Sequence, residues 1–290
     1  MKILIIQEAG RHFKNKNFRE SLCLKRAFDF FSNLHETDVW GFGYDNFNEK
    51  INFNEYDILI NLENYDTGWV PDLAKINRPI KFLWSIDSHV KGIESYLQEY
   101  KRGKYNYVLQ ATLDFVSKIP NSIWFPNCYD NSLIYPKQTN KSIDIGFCGN
   151  YGTQQRKEIL DFLSKRINLK QDIFVIGDEM VDAINNYKIH FNLNIANDIN
   201  YRNFETIGCN TILCTNNNYQ YEKLGFIDLE NCLIYNSIEE AIEKINFILN
   251  DKNTYEKIQS NGFKLAERHS YKKRSLELLQ FLNENIHSWS

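Results

Sequence analysis

Arg202 and Glu205 stand three residues apart in NYRNFETIGCNTILCTNN, residues 200 to 217. In a helix that spacing puts both side chains on one face and turns Phe204 and Ile207 elsewhere, toward a core. A guanidinium suits a diphosphate, and a carboxylate suits a vicinal diol such as ribose. By spacing alone the same residues also make a plain surface ion pair, worth about 0.3 kcal/mol. Upstream, DIGFCGNYGTQQRKEIL places Gly146, Gly149 and Gly152 ahead of a helix expected from about Gln155. Glycines there let backbone amides approach an anion at the helix N-terminus. No GK[ST] follows and GxGxxG is not met, so a tight turn competes with a phosphate site.

Proton-transfer chemistry has candidates in the first half. Asp87 and His89 in FLWSIDSH follow a predicted strand, and either can act as a general base toward a hydroxyl. The competing reading has Asp87 and Ser88 capping the next helix. In EAGRHFKNKN, Gly10 ends a strand, and Arg11, His12 and Lys14 could touch an acceptor or a phosphate, or belong to a solvated loop. Glu63 and Asp66 in LENYDTGW carry the same ambiguity.

The elements that position these residues repeat one pattern. Predicted strands are 2–7, 37–41, 57–62, 80–84, 107–110 and 123–125, with a helix over 21–34 carried by Leu22, Ala27, Phe30, Phe31 and Leu34. YPKQTNKS, residues 135–142, is polar and contains Pro136, which marks a linker. The pattern then restarts: strand 143–148, helix 156–166, strand 173–176, a short helix near 179–187, and strands 189–195, 211–215 and 231–235. Amphipathic helices over 238–249 and 255–267 follow, with a last helix over 273–285. Strands alternating with helices predict parallel α/β sheets in two doubly wound domains. The expected boundaries are 1–138, 139–271 and a terminal helix 272–290 crossing back to the first domain. Arg202 and Glu205 then fall beyond a strand's carboxyl end, where open α/β sheets bind ligands.

A chain of 290 residues exceeds what one core usually organises. Its net charge of -3, with Lys and Arg scattered, shows no footprint for a nucleic-acid backbone. The opening MKILIIQEAG is too short for a signal peptide, and no run reaches the roughly 18 apolar residues of a membrane span. A soluble, cytoplasmic protein is expected. Cys23, Cys128, Cys148, Cys209, Cys214 and Cys232 form no CxxC pair and lie near no His at zinc spacing, so they read as reduced and mostly buried.

Three motifs in order, IGFCGNYGTQQRKEIL, LNIANDINYRNFETIGCNTILCTNN and GFKLAERHSYKKR, resemble the glycosyltransferases related to the spore-maturation protein CgeB. The resemblance covers essentially the whole second domain; before residue 135 it is thin, carried by FPNCYDNSLIYP and the strand pattern. It implies a GT-B fold, two Rossmann-like domains across a cleft, and a hexosyltransferase-type, nucleotide-sugar-dependent enzyme. The donor, UDP- or GDP-linked, would be held by the second domain; no cofactor and no metal are implied. The acceptor, a glycan, protein or other hydroxyl- or amine-bearing molecule, would be addressed mainly by the first domain. On that analogy Glu205 binds the donor ribose, Arg202 lies near the diphosphate with Asn203 beside it, and Gly149, Asn150, Tyr151 and Gly152 face the phosphates. Gly177 and Asp178, at an expected strand end with Ile176, lie where the base rests. Asp87 or His89 would be the base of an inverting transfer, with Gly10 and His12 on the acceptor side. Arg202 and Glu205 would contact opposite parts of one ligand rather than each other. Many enzymes of this fold carry a second glutamate upstream; residues 197–201 read NDINY, with Asp198 the nearest acid. His269 and Tyr271 match a family position but suit packing and capping. The alternative reading is a catalytically inactive nucleotide-sugar-binding regulator, and an epimerase of the same layout would need paired acids and a histidine that are not evident.

Overall fold

The computed structural model describes residues 1–31, 35–64 and 66–285. The chain divides into two units. Met1–Asn127, Ala196–Asp198 and the stretch from Tyr271 form the first; Cys128–Ile195 and Ile199–Ser270 form the second.

The first unit is built on short runs rich in β-branched residues. β1 (Lys2–Ile6), β2 (Glu36–Trp40), β3 (Ile58–Leu62), β4 (Ile80–Ser85), β5 (Tyr107–Gln110) and β6 (Ser122–Trp124) form a parallel sheet in the order β2-β1-β3-β4-β5-β6. Ile3 to Ile6 and Ile58 to Leu62 are buried on both faces, which explains why these strands read as continuous apolar runs rather than alternating ones. α1 (Glu20–Asp29), α2 (Ser88–Lys91) and α3 (Ile93–Gly103) join them. The helix expected over 21–34 stops at Asp29. The Phe31 amide closes a tight turn onto the Phe28 carbonyl at 2.9 Å, and Phe30 stays exposed under the Lys272 ammonium, 3.8 Å from its ring centre. Leu34 lies outside the described residues.

The second unit holds β7 (Ile143–Gly149), α4 (Gln154–Ser164), β8 (Leu169–Ile173), α5 (Asp178–Asn186) and β9 (Tyr187–Asn192), followed by α6 (Tyr201–Gly208) and β10 (Ile212–Asn216). α7 (Tyr221–Leu224), β11 (Leu233–Tyr235), α8 (Ile238–Asn250) and α9 (Lys252–Ala266) complete it. Its sheet is parallel in the order β11-β10-β9-β7-β8, so the winding reverses between β7 and β9. Ile145, Phe147, Ile189, Phe191, Ile212 and Leu233 pack against Leu160, Leu163, Ile245 and Ile248 of the helices.

Three expectations are corrected here. The strand expected over 173–176 is β8, ending at Ile173: Leu169 to Ile173 pairs with Ile145 to Gly149, and only Leu169 of this polar edge strand is buried. Phe174 then takes φ +58, which ends the extended backbone. The linker expected at 135–142 is docked instead. The Lys137 amide donates to Asn185 Oδ1 at 2.7 Å and the Ser142 amide to Asn186 Oδ1 at 3.1 Å. Residues 128–138 likewise pack in the second unit rather than the first, with the Tyr129 amide on the His269 carbonyl at 3.0 Å.

α10 (Tyr271–Asn285) packs on α1, buries Leu278 and Leu282, and sets Phe281 edge-on to Tyr107 with centroids 5.1 Å apart. All six cysteines are buried, and none is in a disulfide among the described residues.

Candidate functional site

In the second unit the loops leaving β7 and β9 lie side by side where the winding reverses, the position at which open α/β sheets bind ligands. Asn200 caps α6, its Oδ1 accepting from the Arg202 amide at 3.0 Å, and this fixes the first turn. Phe204 and Ile207 are fully buried, so the opposite face of α6 carries Arg202 and Glu205. Those two are partners: Arg202 Nη1 bonds Glu205 Oε2, with side chains 23% and 11% exposed. The expectation that they do not pair is corrected, and so is the reading of a surface pair. Arg202 Nε donates to the Cys148 carbonyl at 3.1 Å, which ties α6 to the end of β7. Burial opposes the guanidinium charge, but Glu205 beside it holds its proton more tightly than usual. Among the described residues no hydrogen bond engages Arg202 Nη2 or Glu205 Oε1, so the pair keeps one donor and one acceptor atom uncommitted.

His190 braces the pair from beneath. Its Nε2 accepts from the Cys148 amide at 3.1 Å, so the ring proton sits on Nδ1 and points at Thr206 Oγ1, 2.5 Å away. Thr206 in turn donates to the Arg202 carbonyl at 2.5 Å. Complete burial, with the Arg202 charge, pushes this imidazole down to about 3 and keeps it neutral.

The glycine-rich loop is tighter than an open anion cradle. Thr153 Oγ1 caps α4 through the Arg156 amide at 3.2 Å, and Asn150 Oδ1 accepts from the Gly152 amide at 3.2 Å, with Gly152 at φ +66. The Gly152 amide is therefore already committed, contrary to expectation. Gly146 serves packing: a Cβ there would lie 2.3 Å from the Tyr187 ring. Tyr151 turns its hydroxyl onto Gln171 Oε1 at 3.1 Å. Asn203, expected near the ligand, is wholly buried, its Nδ2 on Asn194 Oδ1 at 2.8 Å and its Oδ1 accepting from the Tyr221 hydroxyl at 2.8 Å. Gly177 and Asp178 do not end a strand; Gly177, at φ +64, precedes the first residue of α5.

Sequence reasoning passed over two residues here. Arg156, in the first turn of α4, clamps both loops, Nη1 to the Asn150 carbonyl at 2.9 Å and Nη2 to the Leu193 carbonyl at 2.6 Å. Burial lowers its pKa. Phe174, 68% exposed just beyond β8, bonds through its amide to the Gly149 carbonyl at 3.1 Å. Its hidden signal was DIFVIG, whose apolar run reads as strand and masks an outward aromatic.

In the first unit Asp87 occupies the position before α2, and the Val90 and Lys91 amides reach its carbonyl at 2.9 and 3.0 Å. Its side chain makes no capping bond and is exposed. Crowding by surrounding protein, then the like charges of Glu63 and Glu20, push the carboxyl up to about 6, with Lys91 opposing. His89 is half-buried and lowered by that burial. Glu63 is a brace: its Oε2 accepts from the Ile86 and Asp87 amides at 3.1 and 2.8 Å, and its Oε1 pairs with Lys91 at 2.9 Å. Asp66 closes a turn onto the Gly68 amide. Gly10 has φ +84 and His12 precedes a short exposed 3-10 turn. Asp198, buried and grouped with this unit, is pushed up to about 7 by burial and by Asp87. His269 packs between Phe204 and Phe226 with Nε2 on the Leu224 carbonyl at 2.8 Å; Tyr271 is buried against Trp84. Among the described residues no three His, Cys, Asp or Glu side chains form a metal-holding group, and no helix is long and apolar enough to cross a membrane.

Residues 137–280 match the family model described as glycosyl transferase-like. No curated protein matches the chain. Among solved structures, a glycosyltransferase from Rickettsia africae ESF-5 has a TM-score of 0.69 at 12% identity, over 99% of each chain. Anabaena Alr3699/HepE in complex with UDP-glucose has 0.68 at 12%, over 98% of this chain and all of that one. An alpha-glucosyltransferase in complex with UDP-glucose and DNA containing an abasic site has 0.68 at 12%, over 98% and 99%. The fold is the GT-B architecture of these structures, and the glycosyl transferase-like match is confined to residues 137–280. Two of these similar structures hold a UDP-sugar, and one of them holds DNA as well, so the expectation against nucleic acid is not carried further.

Proposed function

We propose that this protein moves a hexose from a uridine diphosphate sugar to a hydroxyl or amine, without a divalent metal. The observation that carries this reading is the convergence of Arg202, Glu205 and the β7 to α4 loop where the second sheet reverses its winding. Arg202 Nη2 meets the diphosphate, and Glu205 Oε1 accepts from a ribose hydroxyl. Their mutual pairing presets both groups, and the His190 to Thr206 chain holds the helix that carries them. Phe174 offers its exposed ring to the base, in place of Gly177 and Asp178. The choice of uridine rests on the similar structures that hold UDP-glucose; the three motifs of the second unit favour a CgeB-like enzyme within the class.

In an inverting transfer the bond from the sugar C1 to the diphosphate breaks as the acceptor atom bonds C1, and the acceptor proton passes to the Asp87 carboxylate. The diphosphate leaves with the electron pair, its charge met by Arg202 and the amino end of α4. A carboxyl near 6 is ionised at neutral pH yet basic enough to take the proton.

A thermal-shift panel of UDP, GDP, CMP and dTDP sugars tests the donor, followed by a hydrolysis assay with and without EDTA. Donor at a hundred times its Kd adds about 2.7 kcal/mol, a shift of several degrees. UDP sugars are expected to give the shift and to release UDP in EDTA. No shift and no release with any sugar would overturn the reading; a shift without release favours a silent binder.

A further inference from the structure

A cavity lies in the second unit, at the edge of its sheet where the strands begin. Lys141 precedes β7, Lys188 is the second residue of β9 and Asn210 precedes β10, and all three line a cavity of about 480 Å³. That volume suits a small organic ligand. Its walls mix Ile248, Leu249 and Tyr255 with four lysines against one carboxylate, Glu256.

The lysines are not equivalent. Lys137 pairs with Asp182 at 2.5 Å, Lys188 with Asp144 at 2.6 Å, and Lys252 with Glu256 at 3.6 Å. Among the described residues Lys141 has no carboxylate partner. Its ammonium donates to the Asn185 carbonyl at 3.0 Å and to Thr211 Oγ1 at 2.6 Å, both neutral, and one of its three protons remains. Thr211 cannot supply charge, since its own hydroxyl donates to the Ile184 carbonyl at 2.8 Å. Cys209 and Tyr255 supply none either, since burial pushes the thiol and the phenol each up to about 12 and both stay neutral. Burial accordingly pushes Lys141 down to about 8. A half-buried ammonium held only by neutral groups, in a cavity whose one carboxylate is paired with Lys252, is suited to an external counter-charge.

We propose that this cavity binds a small molecule carrying one acidic group, a carboxylate or a phosphate ester, on an apolar body. The acid sits on Lys141 and the body lies against Ile248, Leu249 and Tyr255. The site is separate from Arg202 and Glu205 and does not depend on their role.

The test labels the lysines of the full-length protein by carbon-13 reductive methylation and follows the Lys141 resonance, assigned with Lys141→Met. Inorganic phosphate and hexanoate, each at about 20 mM and so well above a millimolar Kd, are the probes. The Lys141 titration is expected near 8 without probe and about one unit higher with a bound probe, a tenfold preference for the charged amine. Calorimetry is expected to show binding lost in folded Lys141→Met. In Lys141→Arg it should persist to about pH 10, because the guanidinium stays charged. A response to phosphate alone assigns the site to phosphate esters, and one to hexanoate alone to carboxylates. An unmoved Lys141 resonance with both probes, or equal binding in folded Lys141→Met, overturns the proposal.

Discussion

Replacing Glu205 by Gln tests the proposed donor site most sharply, because the structure makes two effects compete. The change leaves Arg202 without its counter-charge. Breaking a fully buried pair costs about 3–5 kcal/mol, but Arg202 is partly exposed, keeps its bond to the Cys148 carbonyl and gains a neutral acceptor, so about 1–2 kcal/mol of stability is expected to go. Binding is a separate quantity. If Glu205 Oε1 accepts from ribose, the lost charge-assisted bond is worth about 1.5–3 kcal/mol, or about ten- to a hundredfold in Kd. A double cycle separates a direct contact from a loosened helix: UDP and an analogue lacking both ribose hydroxyls are titrated by calorimetry into wild type and Glu205→Gln. A direct contact predicts that the two losses do not add, with a coupling of about 1.5–3 kcal/mol. Additive losses in a variant whose urea unfolding remains cooperative would refute the ribose assignment, and leave Glu205 as the brace of Arg202 alone.

Two further outcomes are expected. Asp87→Asn should lower transfer by about a hundred- to ten-thousandfold while UDP affinity holds; near-normal turnover removes Asp87 from the mechanism. Because a protonated carboxyl cannot accept the acceptor's proton, wild-type kcat/KM should rise with pH through a midpoint near the raised value of about 6, and a rate flat across that range contradicts the assignment. Phe174→Ala should weaken UDP by about 1–3 kcal/mol if the ring stacks on the base, with Phe174→Tyr close to wild type; equal affinity in the alanine variant would place the base elsewhere.

The strands buried on both faces were plain in the sequence, since KILII and ILINL offer nothing but a core strand, and β5 was located to the residue. β8 was not, because an edge strand needs one apolar face and LKQDI shows a single buried leucine, while FVI beyond it carries the stronger apolar signal. The facing of Arg202 and Glu205 followed from their spacing. Their mutual pairing did not, because it depends on α6 being pressed against the end of β7, a contact across more than fifty residues of chain. Long-range partners hid the rest as well. Gly146 reads as part of a phosphate loop until Tyr187 is seen beside it, and Asn203 reads as a ligand contact until Asn194 and Tyr221 are seen to engage it. Arg156 was unremarkable in QQRKEI, where nothing local announces that two distant carbonyls converge on it.

The division of the chain has a practical meaning at the level of the gene. The first unit is discontinuous: a fragment ending at Asn127 would lack α10, and with it the cover over α1 and over Tyr107 and Trp84. The stretch from Cys128 to Ser270 encodes the whole second sheet, Arg202, Glu205, Arg156 and the Lys141 cavity, and only Ala196–Asp198 within it group with the first unit. Sequence change in the first unit must therefore stay compatible across distant stretches of the chain, whereas nearly all of the second unit can be recombined between relatives as one stretch, provided Ala196–Asp198 still suit the first unit.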